Sequence, residues 1–127
     1  MGGRLNRWGV AAALALACAL VVAGARAYQK PKTVIQVVTI KWSAEAAPEL
    51  RRAAIEDLEK AAAEIPGIER VWLRTLRVQP RDFMSAFALE FEDQAAADRY
   101  ARHPAHEAWI KTYLPIIEES RMQQVTN

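Results

Sequence analysis

Asp98-Arg99-Tyr100-Ala101-Arg102-His103-Pro104-Ala105-His106 is the stretch on which the reading of this chain turns. It carries both histidines of the 127-residue sequence, set around one proline. A residue that precedes proline is steered out of the helical region, so a helix has to stop at His103. Proline itself fits a first helical turn, so Pro104 opens a new helix. The stretch therefore predicts one helix over residues 93–102, N-capped by Asp93, and a restarted helix over residues 105–119. Ala108, Trp109, Thr112 and Ile116 form a possible inner stripe of the second, and Pro115 is expected to kink it.

Upstream, Phe87, Leu89 and Phe91 alternate with Ala88, Glu90 and Glu92, the period of a strand with one buried face over about Met84 to Glu92. Gln79-Pro80-Arg81-Asp82 reads as a turn, and Ile68 to Val78 as the strand before it, so the two form a hairpin. Before Pro66-Gly67, which stops a helix, Leu50, Ala54, Leu58, Ala62 and Ile65 recur every three or four residues. Ser43 is the expected N-cap of that helix, with Pro48 near its start. Thr33 to Trp42 is rich in β-branched residues and nearly continuous in apolar character, a strand buried on both faces. Residues 121–127 form a short polar strand or tail.

The order β-α-β-β-α-β defines an α+β, ferredoxin-like arrangement: an antiparallel four-stranded sheet with helices on one face. The apolar residues of the first strand then require a cover on the other face. A second copy of the chain is the simplest one, which predicts a two-fold homodimer through the sheet face.

Charge and cysteine usage narrow the function classes. Arg4, Arg7 and Arg26 lie in the first 27 residues, which hold no acid, and the remainder carries 14 basic and 15 acidic residues. That balance is no nucleic-acid footprint. Residues 8–25 are uncharged and end at Ala25-Arg26-Ala27, the pattern of a signal peptide cleaved after Ala27. The alternative is an uncleaved membrane anchor, although about 20 strongly apolar residues are usual for a span. Either way the domain is exported, periplasmic or secreted, with residues 1–27 as leader, 28–33 as linker and 34–127 as domain. The lone Cys18 lies in the leader, so no disulfide or cysteine ligand is expected in the domain. Neither a phosphate-binding glycine loop nor a metal-ligand spacing occurs, and no cofactor or metal is expected.

Gln36-Val37-Val38-Thr39-Ile40-Lys41-Trp42, Ile65-Pro66-Gly67, Leu89-Glu90-Phe91-Glu92-Asp93, Tyr100 and His103-Pro104-Ala105-His106 together resemble the stress-responsive α/β-barrel (Dabb) domain family. The resemblance covers about residues 34–125 and implies a dimeric α/β barrel. One enzyme of that family, olivetolic acid cyclase, closes a polyketide ring by aldol chemistry. By position His106 matches its motif base, Tyr100 its tyrosine and Trp109 an aromatic residue of its pocket wall. Gln36 stands where that enzyme has a histidine.

With the export read from the leader, the resemblance implies a module without established catalysis that binds a small apolar or aromatic ligand or is associated with stress. A second reading is a cofactor-free lyase or cyclase acting on a small carbonyl compound, with His106 as general base and Tyr100 orienting a substrate oxygen. A third is a monooxygenase-like member of the wider superfamily. Each residue also has a purely structural reading. His106 can hold the helix restart by bonding a backbone carbonyl, and His103 can cap the break before Pro104. Trp42, Trp72 and Trp109 can line an aromatic pocket or simply fill the core.

Overall fold

Val34–Trp42 (β1) is the strand on which the sheet is built. In this computed structural model, which describes residues 27–127, it pairs antiparallel with strands on both sides. The leader segment read from the sequence, residues 1–26, lies outside the described residues. The other elements are α1 (Pro48–Glu64), β2 (Ile68–Trp72), β3 (Ser85–Phe91), α2 (Gln94–Ala101), α3 (Pro104–Tyr113), a single 3-10 turn (Leu114–Ile116) and β4 (Ile117–Val125). The strands lie in the order β2-β3-β1-β4, the ferredoxin-like topology expected from the sequence.

Alternation along β1 decides what each face does. Val34, Gln36, Ile40 and Trp42 are buried toward the helices. Ile35, Val37 and Thr39 point to the opposite face, and the register places Ala88 opposite Val37 and Trp72 opposite Ala88. Phe87, Leu89 and Phe91 of β3 join Leu58 of α1 and Ala96 and Tyr100 of α2 in the core. Burying a side chain of this size stabilises by about 1.5–3 kcal/mol, several times the worth of a surface pair such as Lys60 with Asp57. The packed layer between sheet and helices therefore holds the fold.

Several expectations are corrected. The first helix starts at Pro48, with Ala47 at its N-cap and no side-chain cap. Ser43 instead closes a turn, accepting from the Ala46 amide and donating its own amide to the Ile116 carbonyl. Pro48 is at home in the first turn because it has no N–H to satisfy, and that outweighs the capping ability of Ser43. Leu50 is 47% exposed, so the buried stripe begins at Ala54.

β2 stops at Trp72 rather than Val78, and residues 73–84 form a longer connection to β3. The Thr75 hydroxyl stands in for ladder bonds there: it accepts from the Ala86 amide at 2.8 Å and donates to the Ala86 carbonyl at 3.1 Å. The turn within that connection is closed by the Phe83 amide and the Pro80 carbonyl. Pro115 ends α3 rather than kinking it, and the inner residues of α3 are Trp109 and Tyr113 while Ala108 and Thr112 are exposed. The last strand is β4, longer than expected and paired along β1. Its register shifts between Lys41 and Trp42, so Ile117 rather than Glu118 lies opposite Trp42. Glu118 is the extra residue of this bulge and reaches Lys41 at 2.9 Å.

Candidate functional site

The helix break builds the site. The Arg102 amide bonds the Arg99 carbonyl and the His103 amide bonds the Tyr100 carbonyl, which tightens the last turn of α2. Pro104 has no amide hydrogen. The next amide, that of Ala105, donates to His103 Nδ1 at 3.1 Å, so His103 is the side-chain cap of α3. Ala105 is the residue whose amide a continuous helix would aim at the Ala101 carbonyl. The break leaves that carbonyl open, and His106 Nδ1 lies 3.2 Å from it.

A carbonyl only accepts, so His106 carries its hydrogen on Nδ1 and keeps the lone pair of Nε2 free. Burial lowers the His106 pKa from 6.5, against smaller opposing effects of the Ala101 carbonyl and of Glu107. The imidazole is therefore neutral at neutral pH, a proton acceptor held by one defined bond.

The rings around it follow one another in series, stacked between His106 and Trp109 and tilted in the other pairs. Tyr100 lies 4.4 Å from His106 and 5.2 Å from Phe91, and Trp109 lies 6.3 Å from His106 at 28°. The Trp109 indole donates to the Ala54 carbonyl of α1 at 2.8 Å, which fixes its orientation. Burial pushes the Tyr100 hydroxyl well above the ordinary tyrosine range, so it acts as a neutral hydrogen-bonding group.

Tyr100, His106 and Trp109 line a cavity of about 230 Å³ between the sheet and the pair α2–α3. Gln36, Tyr100, His106 and Ser120 bring its polar atoms, with Trp109 and aliphatic side chains making up the wall. Leu114 and Met122 also line it and are 58% and 57% exposed, so they form its rim. Among the described residues, no charged side chain lines it. Gln36 is 8% exposed, and its Oε1 accepts from Gln124 Nε2 at 2.9 Å.

The structure thus brings together Gln36, Tyr100, His106 and Trp109, and leaves His103 and Pro104 in the break, outside the cavity lining. Trp42 is a core residue bonded to Ser85, and Trp72 lies 46% exposed on the opposite face of the sheet. Ser120 was missed by the sequence reading because the last strand was expected to begin at residue 121. The alternation Ser120, Met122, Gln124 is the signal that carried it. Among the described residues, no group of three or more His, Cys, Asp or Glu side chains is placed to hold a metal ion. No helix among them is long and apolar enough to cross a membrane.

The model of the stress responsive A/B barrel domain family matches residues 34–125. No curated protein matches the chain. Among solved structures, a dimeric ferredoxin-like protein of unknown function from Thermobifida fusca YX is similar at 17% identity and a TM-score of 0.67, covering 80% of this chain and 97% of that one. A Dabb family protein from Mesorhizobium loti has 24% identity and a TM-score of 0.65, over 75% of this chain and 96% of that one. The hydroxynitrile lyase of Passiflora edulis has 15% identity and a TM-score of 0.68, over 75% and 93%. These likenesses establish the fold.

Proposed function

Since the chain belongs to the stress responsive A/B barrel domain family, we propose that it binds a small, uncharged, largely apolar molecule in the cavity beside His106. The observation that carries this is the cavity itself: about 230 Å³, apolar over most of its wall, with a few polar groups and no charge. An engineered apolar cavity of roughly 150 Å³ takes up benzene, so this one has room for a single aromatic ring with a short substituent. A carboxylate or ammonium ligand would lose its hydration without gaining a counter-charge.

The protein is proposed to work outside the cytoplasm as a pair of identical copies. The leader pattern supports the first statement. The second is supported by the uncovered sheet face, where Val37 and Ala88 lie beside Trp72, and beyond them stands Leu76 at 87% exposure. The dimeric ferredoxin-like protein from Thermobifida fusca supports it further. A mature N-terminus at Tyr28 and a two-copy mass in solution are the results expected; an intact N-terminus retained in membranes, or a monomer, overturns them.

One observation favours a second reading, a cofactor-free lyase or cyclase. His106 is neutral, is anchored through Nδ1 and has an Nε2 that no described residue bonds, the arrangement of a general base. It would take a proton from the carbon beside a carbonyl while the Tyr100 hydroxyl donates to the oxygen on which charge develops. The hydroxynitrile lyase of Passiflora edulis shares the fold, and lyase chemistry is the class that its name supports here.

His106→Gln separates the two. A binding protein keeps its ligand affinity within a few fold, because the ring supplies only part of the wall. A lyase loses turnover while the ligand still binds. Titration of the Trp109 indole and the cavity methyl groups by NMR with small aromatic ketones reads the binding. Absence of any shift at those groups overturns the binding reading.

A further inference from the structure

Four polar side chains run in line from the surface to the cavity. Asp98 of α2 lies one turn after Gln94, and Gln94 Nε2 donates to Asp98 Oδ1 at 3.1 Å. The same nitrogen donates to Gln124 Oε1 of β4 at 3.3 Å. Gln124 Nε2 in turn donates to Gln36 Oε1 of β1 at 2.9 Å. Gln36 is more than nine-tenths buried, and its remaining group, the Nε2 amide, bonds to no other described residue.

The direction of this chain is set by chemistry. An amide side chain can be turned end for end with almost no change in shape, so a run of glutamines has no direction of its own. A carboxylate, by contrast, can only accept. Asp98 therefore demands the NH₂ end of Gln94. That NH₂ also meets Gln124 and holds its carbonyl, which leaves the Gln124 NH₂ to meet the carbonyl of Gln36. The last free end is the Gln36 NH₂, at the cavity wall.

We infer that Asp98, Gln94 and Gln124 are positioning residues that hold the Gln36 amide with its NH₂ toward the cavity, so that the site selects ligands bearing a neutral acceptor oxygen, such as ketones and aldehydes. The inference rests on the cavity being a ligand site and adds the polarity of its deep end. A ligand with an acceptor oxygen satisfies the Gln36 donor, which no described residue bonds. A hydrocarbon of the same shape leaves it unsatisfied. One hydrogen bond gained or lost gives a preference of roughly 3- to 10-fold.

Three probes of one shape test it: acetophenone, which only accepts; 1-phenylethanol, which donates and accepts; and α-methylstyrene, which does neither. Binding of each is measured by NMR titration or calorimetry. In the wild type, acetophenone is expected to bind roughly 3- to 10-fold more tightly than α-methylstyrene.

Gln124→Glu removes the only donor to Gln36 Oε1 among the described residues and keeps the acceptor for Gln94. Gln36 then has to turn its NH₂ outward to Glu at that position and present its carbonyl to the cavity. The acetophenone preference should vanish or reverse, while 1-phenylethanol, which can donate, keeps its affinity. Position 124 is exposed, and the thermal midpoint of the variant shows that the fold is retained. Gln36→Leu is the second variant and should abolish the preference while α-methylstyrene still binds.

Equal binding of acetophenone and α-methylstyrene to the wild type overturns the inference and leaves the binding reading standing. So does a Gln124→Glu variant that keeps the full acetophenone preference. Failure of all three probes to bind overturns the binding reading, and this inference with it.

Discussion

Replacing each histidine by alanine measures two roles that the structure separates. His103 accepts the Ala105 amide at 3.1 Å as the cap of α3, and alanine is among the poor residues at that position. Loss of a side-chain cap costs about 1 kcal/mol. His106 lies inside α3 and loses one partly exposed bond of 3.2 Å to the Ala101 carbonyl, worth about 0.5–1 kcal/mol. Alanine is the better helix former there by about half a kcal/mol, which offsets much of that. The net cost of His106→Ala is then at most about 0.5 kcal/mol. In a domain of this size 1 kcal/mol moves the melting midpoint by about 4–8 °C. His103→Ala should lower the midpoint by roughly 4–8 °C and His106→Ala by no more than roughly 2–4 °C. Both melts are followed by circular dichroism well above pH 6.5, the unperturbed value for His106. A His106→Ala loss of about 2 kcal/mol or more, or one exceeding that of His103→Ala, refutes the assignment. It would make His106 a structural residue and remove most of the case for a base.

Three further outcomes follow from the same geometry. Because the folded-state pKa of His106 is depressed, the folded form binds fewer protons than the unfolded one just below pH 6.5, so stability falls as pH drops through that region and levels off below the folded value. Denaturant midpoints against pH, wild type against His106→Gln, should show this slope only in the wild type; equal slopes refute it. Gly67→Ala forces a side chain onto a backbone φ of +91° and sets its Cβ 2.7 Å from Ala96 Cβ, at a cost of about 1–3 kcal/mol from the strain alone; a neutral result in chemical denaturation contradicts the packing of α2 on this turn. Val37→Arg places a charge at the centre of the open sheet face and should yield a monomer by analytical ultracentrifugation, whereas an unchanged sedimentation coefficient rules that face out as the contact.

Periodicity revealed the layers of this molecule, and punctuation revealed its break. The alternation in β3 and the pair His103-Pro104 are local signals, and both read directly into structure. The end of β2 was not legible, because Val71-Trp72-Leu73 continues a strand pattern while the ladder gives way to the Thr75 hydroxyl at Ala86. The start of α1 was misread for a related reason: Ser43 has the chemistry of a cap, but Pro48 has the stronger geometric claim. Tyr100, His106 and Trp109 could be nominated as site residues from their types and their resemblance to the family pattern. Gln124 and Gln94 could not, since their alignment with Gln36 depends on contacts 30 and 88 residues apart in sequence.

The bulge at Glu118 acts as a frame shift within the protein's own wall. Ser120 and Met122 face the helices, so strict alternation would send Glu118 inward beside Trp42, into the space that Ile117 borders. The extra residue restores isoleucine to that position and turns the carboxylate outward to Lys41. Excising Glu118 would leave the bulge without its extra residue, yet keep the wall greasy. Straightening the strand without shortening it would instead set the Glu118 carboxylate in the wall beside Trp42. One unpaired residue at a strand edge thus keeps a carboxylate out of the cavity wall.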